Sequence, residues 1–138
     1  MTMEIARKFR EAMLLHAGEE YPNECCGMLG MLDGRVMAHY RIRNVHPSPY
    51  RYEMCAKEHF MAMCEVEDSG WVPAFYHSHP HSPAVPSDTD IRLAAYPANF
   101  YLIISPREFD GNGQQITDEP QVRAYLIDEG EVTEQVVK

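Results

Sequence analysis

The segment YHSHPHSPAVPSDTD (residues 76–90) sets three of the chain's seven histidines within five positions and follows them with prolines, two serines and two aspartates. It continues the apolar run WVPAFYH (71–77), which predicts a buried strand whose start Pro73 places near an edge or bulge. If the strand is extended through residue 79, alternation turns His77 and His79 to one face, roughly 7 Å apart along the chain, and Ser78 to the other. Pro80 ends the strand and carries His81 away. Two imidazoles so placed can converge on one ion with metal–nitrogen distances near ~2.0–2.1 Å. A third ligand must then come from elsewhere, and an oxygen donor suits a catalytic zinc that keeps an open position.

The second half of the segment supplies such a donor. PSDTD leading into IRLAAY predicts a helix start with Asp90 in its first turn. Ser87-x-x-Asp90 also spells a capping box, a pattern that by itself needs no metal. Capping gives no reason for paired imidazoles just upstream, so Asp90 is the expected third ligand. No histidine follows His81, which makes cupin-like and amidohydrolase-like sites poor fits. His16, His39, His46 and His59 are scattered and read as helix-face or surface residues.

Outward from this segment the chain alternates helices with hairpins. Residues 3–18 predict a helix, with Ile5, Phe9, Ala12, Met13 and His16 at three- and four-residue steps. CCGMLGML and RVMAHYRIRNV predict two strands joined at Asp33-Gly34, and YRYEM a further strand. Residues 56–68 predict a helix with Phe60, Met61 and Cys64 on one face. FYLIIS reads as a central strand, and QVRAYLIDEGEVTEQVV as a final hairpin turning at Glu129 and Gly130. REFDGNGQQITDEP between them reads as a mobile polar loop. Met54, Met61 and Met63 are expected to fill the core. The expected fold is α+β, one domain over residues 1–138, with a mixed sheet and no repeat or linker.

Composition narrows the function. The 138 residues are 45% hydrophobic and 24% charged with a net charge of −9. That charge argues against nucleic-acid binding and against an anionic membrane surface. No apolar run approaches the ~20 residues of a spanning helix, and the charged N-terminus is no signal peptide. Cys25, Cys26, Cys55 and Cys64 form no Cys-x-x-Cys pair and read as free thiols in a reducing cytoplasm, Cys25 and Cys26 pointing to opposite sides of a strand. A thiol-protease reading of Cys25 or Cys26 with His77 or His79 is the weaker alternative.

His77-Ser78-His79, seven residues, then Ser87-x-x-Asp90 resembles the signature of the JAMM, or MPN-plus, zinc metalloproteases. PNECCGMLG, the motif strand with its helix, and NFYLIIS extend the resemblance over roughly residues 3–137. It implies a curved, mostly antiparallel sheet flanked by helices, of cytidine-deaminase-like type. It implies one zinc per chain held by His77, His79 and Asp90. The family's glutamate base falls at Glu24, ahead of the rival acids Glu53, Glu65 and Glu67, and Ser87 would stabilise an oxyanion. The substrate implied is the bond after the C-terminal Gly-Gly of a ubiquitin-like protein. The chain looks most like the small bacterial branch that acts on ubiquitin-like sulfur carriers, some releasing cysteine in cysteine biosynthesis. A broader isopeptidase for small ubiquitin-like modifiers is the near alternative. A RadC-like DNA-repair-associated protein and a non-catalytic MPN interaction scaffold are the alternatives from other classes. Oligomeric state, with a homodimer among the options, stays open, as does whether residues 106–120 close over substrate.

Overall fold

The first helix starts later than its periodicity predicts. In the computed structural model, which describes residues 2–138, Thr2–Met3 form a short strand β1, and α1 spans Arg7–Glu20. The physical reason lies at the other end of the chain. β1 pairs in parallel with the last strand, Thr2 opposite Val136 and Met3 opposite Val137, and the pairing buries Met3 completely. A long-range ladder therefore wins over local helix propensity at residues 3–6.

The hairpin β2 (Cys26–Leu32) and β3 (Arg35–Ile42) turns at Asp33 and Gly34, both at positive φ (50° and 80°), as a primed turn requires. Helix α2 (Ala56–Asp68) precedes β4 (Val72–Ser78), and α3 (Asp88–Leu93) precedes β5 (Tyr101–Ser105). The remaining strands are β6 (Glu108–Phe109), β7 (Gln115–Thr117), β8 (Gln121–Asp128) and β9 (Glu131–Val137), the last hairpin turning at Glu129 and Gly130 as expected.

Seven strands form one curled sheet in the order β1-β9-β8-β5-β4-β2-β3. All neighbours are antiparallel except β1–β9 and β4–β5. A parallel pair needs a crossover, and the β4-to-β5 connection supplies it through α3, which therefore lies beyond the C-terminal end of β4. The architecture is the mixed α/β sheet with flanking helices that the sequence predicts.

Both sheet faces are covered. One packs Met13 and Ala17 of α1 over Cys25, Leu29, Tyr76, Leu102 and Ile104. The other packs Ala62 of α2 with Cys26, Met28, Ile42 and Phe75, so the adjacent cysteines do face opposite ways. All four cysteines are free. Among the described residues no helix is long and apolar enough to cross a membrane.

Four expectations are corrected. Residues 50–54 form no strand and contribute only an isolated bridge, Asn44 to Met54, because side-chain amide contacts of Asn44 replace a regular ladder there. Residues 106–120 carry the β6–β7 hairpin rather than an irregular loop. On α2 the buried positions are Ala62 and Val66, whereas Phe60 and Met61 are 69% and 58% exposed, so Met61 does not fill the core. Met54 and Met63 do pack against it. His39 is not a scattered surface residue: it and His16, which is buried on the face of α1 as the helix-face reading has it, reach the Tyr76 hydroxyl at 2.7 and 2.6 Å.

Candidate metal centre

Register places the two histidines. β4 lies between β2 and β5, with His77 opposite Cys26 on one side and Ile103 on the other. The His79 N–H continues the ladder by donating to Ile104 O at 2.7 Å. Alternation points both imidazoles to one face, where they are 3% and 5% exposed. Ser78 faces the opposite way and is tied to β2, accepting from Cys25 N–H at 2.8 Å.

The crossover brings the third group. His77 Nε2 and His79 Nε2 stand 3.1 Å apart, and Asp90 Oδ2 lies 3.1 Å from the first and 3.0 Å from the second. Ligand atoms at 2.0–2.1 Å from a tetrahedral ion would be separated by about 3.3–3.4 Å. The observed triangle is within a few tenths of an ångström of that edge length. His77, His79 and Asp90 thus form a group able to hold a metal ion.

Surrounding contacts fix the donors. His79 Nδ1–H donates to Pro83 O at 2.8 Å, which leaves the Nε2 lone pair facing the triangle. The Tyr52 ring stacks on His77 with centroids 4.6 Å apart. Asp90 Oδ2 also accepts from Ser87 N–H at 2.9 Å while Asp90 N–H donates to Ser87 Oγ at 3.1 Å. The capping box and the metal-ligand readings therefore coexist on one carboxylate. Burial opposes ionisation of Asp90, but its contacts to His77 and His79 outweigh that and hold the carboxyl well below the usual range. Burial pushes His77 down.

Glu24 is buried at 5% exposure just before β2. Carrying the Cys26–His77 register two residues upstream sets it across from His79. Burial pushes its carboxyl up to about 8, with smaller electrostatic contributions from His79, which lowers it, and Asp90, which raises it. Glu24 is thus a desolvated carboxyl next to the metal-capable group. Of the rival acids, Glu65 and Glu67 are exposed on α2, whereas Glu53 lines a cavity shared with His77 and Asp90 but is exposed and pairs with His46 at 2.5 Å. His81 leaves the site, as expected, and packs against the Tyr21 and Tyr50 rings.

Ser87 is exposed and lines a cavity of about 230 Å³ together with Tyr52, His77, Asp90, Leu93 and Tyr101. A second, more open cleft of about 540 Å³ reaches the site from the His79 side, past Pro86, Ser87 and Phe109. Ser87 borders both. Its Oγ accepts from Asp90 N–H, so the hydroxyl proton remains to be donated. Sequence reasoning missed Tyr52 and Pro83. They act through ring stacking and a backbone carbonyl, which no residue pattern announces.

Comparison with known proteins places the chain in a family. Residues 6–124 match the model of the prokaryotic homologs of the JAB domain. The chain belongs to this family. Among curated relatives of this JAB-domain chain, the CysO-cysteine peptidase of Mycobacterium tuberculosis (strain ATCC 25618 / H37Rv) is 34% identical over 129 residues, covering 91% of this chain and 83% of the relative. The desampylase of Haloferax volcanii is 38% identical over 112 residues, covering 75% of this chain and 81% of the relative. Of solved structures, protein DSY2949 from Desulfitobacterium hafniense superposes with a TM-score of 0.81 at 35% identity, covering 100% of this chain and 92% of that one. The JAB1/MPN-domain protein AF2198 from Archaeoglobus fulgidus, at 17% identity and a TM-score of 0.59 with 99% and 98% of the chains covered, shares the JAB fold.

Proposed function

We propose that this JAB-domain chain is a zinc-dependent peptidase that hydrolyses the amide bond after the C-terminal Gly-Gly of a ubiquitin-like sulfur-carrier protein, releasing cysteine for cysteine biosynthesis in the cytoplasm. The observation that carries the reading is the triangle of His77 Nε2, His79 Nε2 and Asp90 Oδ2, with buried Glu24 beside it. The names of the peptidase and desampylase relatives support the substrate class. Two nitrogens and one carboxylate oxygen are a donor set suited to catalytic zinc. When bound there, zinc supplies Lewis acidity, bringing the pKa of a water toward ~7 and polarising a carbonyl.

The chain's own groups do the rest. Glu24 accepts the proton of the attacking water and returns it to the leaving nitrogen. Its desolvation favours this, because a carboxyl raised toward neutrality exchanges a proton easily in both directions. The Ser87 hydroxyl donates to the carbonyl oxygen as negative charge develops, a type of contact worth about 2.7–4 kcal/mol. His79 is kept in the ligating tautomer by Pro83 O.

A second reading, an isopeptidase for small ubiquitin-like modifiers, is favoured by the 38% identity to a desampylase. Incubation of the zinc-loaded protein with carrier–cysteine and carrier–lysine conjugates separates the two. Release of cysteine with the lysine conjugate left intact is the expected outcome. Comparable hydrolysis of both would favour the broader isopeptidase, and hydrolysis of neither would reject the peptidase reading.

A further inference from the structure

We propose that Asn44 is a positioning residue that holds Glu24 in register with the proposed metal centre, an inference that rests on the peptidase reading above. Asn44 follows β3, and its side chain makes four hydrogen bonds. Nδ2 donates to Glu24 O at 3.1 Å and to Arg51 O at 3.3 Å. Oδ1 accepts from His46 N–H and Glu53 N–H, both at 3.0 Å. The amide thus uses both of its hydrogens and both oxygen lone pairs. Its orientation is fixed, since a flipped amide would set oxygen against two carbonyls and NH₂ against two N–H groups.

These contacts bind together the two segments that flank the site. The Glu24 N–H is taken by Ser48 O at 2.8 Å, so both peptide groups of residue 24 are held by the 44–48 segment. From the other side Ser78 holds the next residue, Cys25. Glu24 is therefore clamped between the histidine-bearing strand and the 44–53 loop. The same amide fixes residues 51 and 53 on either side of Tyr52, whose ring lies on His77. One half-buried side chain accordingly sets both the base and the ring that buttresses a proposed ligand.

A group that only turns the loop would need Oδ1 alone. A group that positions Glu24 needs Nδ2. Asn44→Asp keeps the two acceptor contacts and removes both donor contacts, whereas Asn44→Ala removes all four. The test measures kcat and KM on a carrier conjugate, zinc content, and amide hydrogen exchange at Glu24 in metal-free protein. The expected result is one zinc per chain in both variants and KM close to wild type. Turnover is expected to fall about 10–100-fold in both, as for lost supporting contacts at metal sites, with faster exchange at Glu24. Wild-type turnover or unchanged Glu24 exchange in Asn44→Asp would overturn the proposal. So would a loss confined to KM, or failure of both variants to fold. Absence of hydrolysis by the wild-type protein would instead sink the peptidase reading, while the exchange measurement would still judge the Asn44 clamp.

Discussion

Ser78 and Cys25 exchange two hydrogen bonds: Ser78 N–H donates to Cys25 O at 3.0 Å, and Cys25 N–H donates to Ser78 Oγ at 2.8 Å. The serine between the two histidines thus ties the strand carrying them to the segment carrying Glu24. Ser78→Ala strands the Cys25 N–H in the core and is expected to cost about 1–3 kcal/mol. Denaturant unfolding of the metal-free protein measures this, and a change below the error of the fit would remove Ser78 from the framework.

Ligand and base are expected to separate by metal content. His79→Ala should lose both bound zinc and turnover. Glu24→Ala should keep zinc and lose turnover by about 10²–10⁴-fold, the usual contribution of a general base. Metal content by atomic emission, read beside the hydrolysis rate, checks the pair. Full hydrolysis by Glu24→Ala would transfer the role of base to another group.

Metal and thiol chemistry are expected to diverge in the same way. Burial pushes the Cys25 and Cys26 thiols up to about 12, so neither is a thiolate near neutral pH. A chelator should abolish hydrolysis, with recovery on adding zinc, and a thiol alkylator should leave it intact. Inactivation by the alkylator with indifference to the chelator would reverse the assignment.

The pH dependence of stability is expected to come in part from His16, Tyr76 and His39. One phenol proton serves one ring: the Tyr76 hydroxyl donates to one imidazole, which must be neutral to accept, and accepts an N–H from the other. Burial first, then Arg41, lowers both histidines from 6.5 to about 4. A depressed pKa means that the unfolded chain takes the proton first. The stabilisation is therefore complete above pH 6.5 and is lost as pH falls toward 4. For His16 this amounts to roughly 2 kcal/mol by pH 5. Unfolding midpoints of wild type and a His16→Gln/His39→Gln double variant, compared between pH 7 and 4.5, should converge at the acid end; parallel profiles would exclude these two rings as the source.

Gly27 lies opposite Tyr76 across the β2–β4 pair, and a Cβ there would overlap the Tyr76 ring. That ring is 1% exposed and fixed at its hydroxyl by two histidines, so it has nowhere to move. Gly27→Ala is expected to destabilise by at least about 1–3 kcal/mol. Retention of the wild-type melting temperature would show that the sheet can open at this point.

The sequence by itself determined most of the elements and the metal-capable group. Period-two alternation aimed His77 and His79 together, and the capping spacing put Asp90 at a helix entrance, because both patterns are local and rest on backbone geometry alone. The two glycine-bearing turns at Gly34 and Gly130 were legible for the same reason, since few residues tolerate positive φ. Tertiary structure alone decided what depends on pairing between distant strands. The β2–β4 register set Glu24 across from His79 and buried it, while its acidic rivals remained in solvent. The terminal strand β9 drew residues 2–3 out of the first helix, and Tyr76 gathered His16 and His39 from separate elements. Local propensity is worth only tenths of a kcal/mol per residue, so long-range burial and hydrogen bonding overrule it wherever the two conflict.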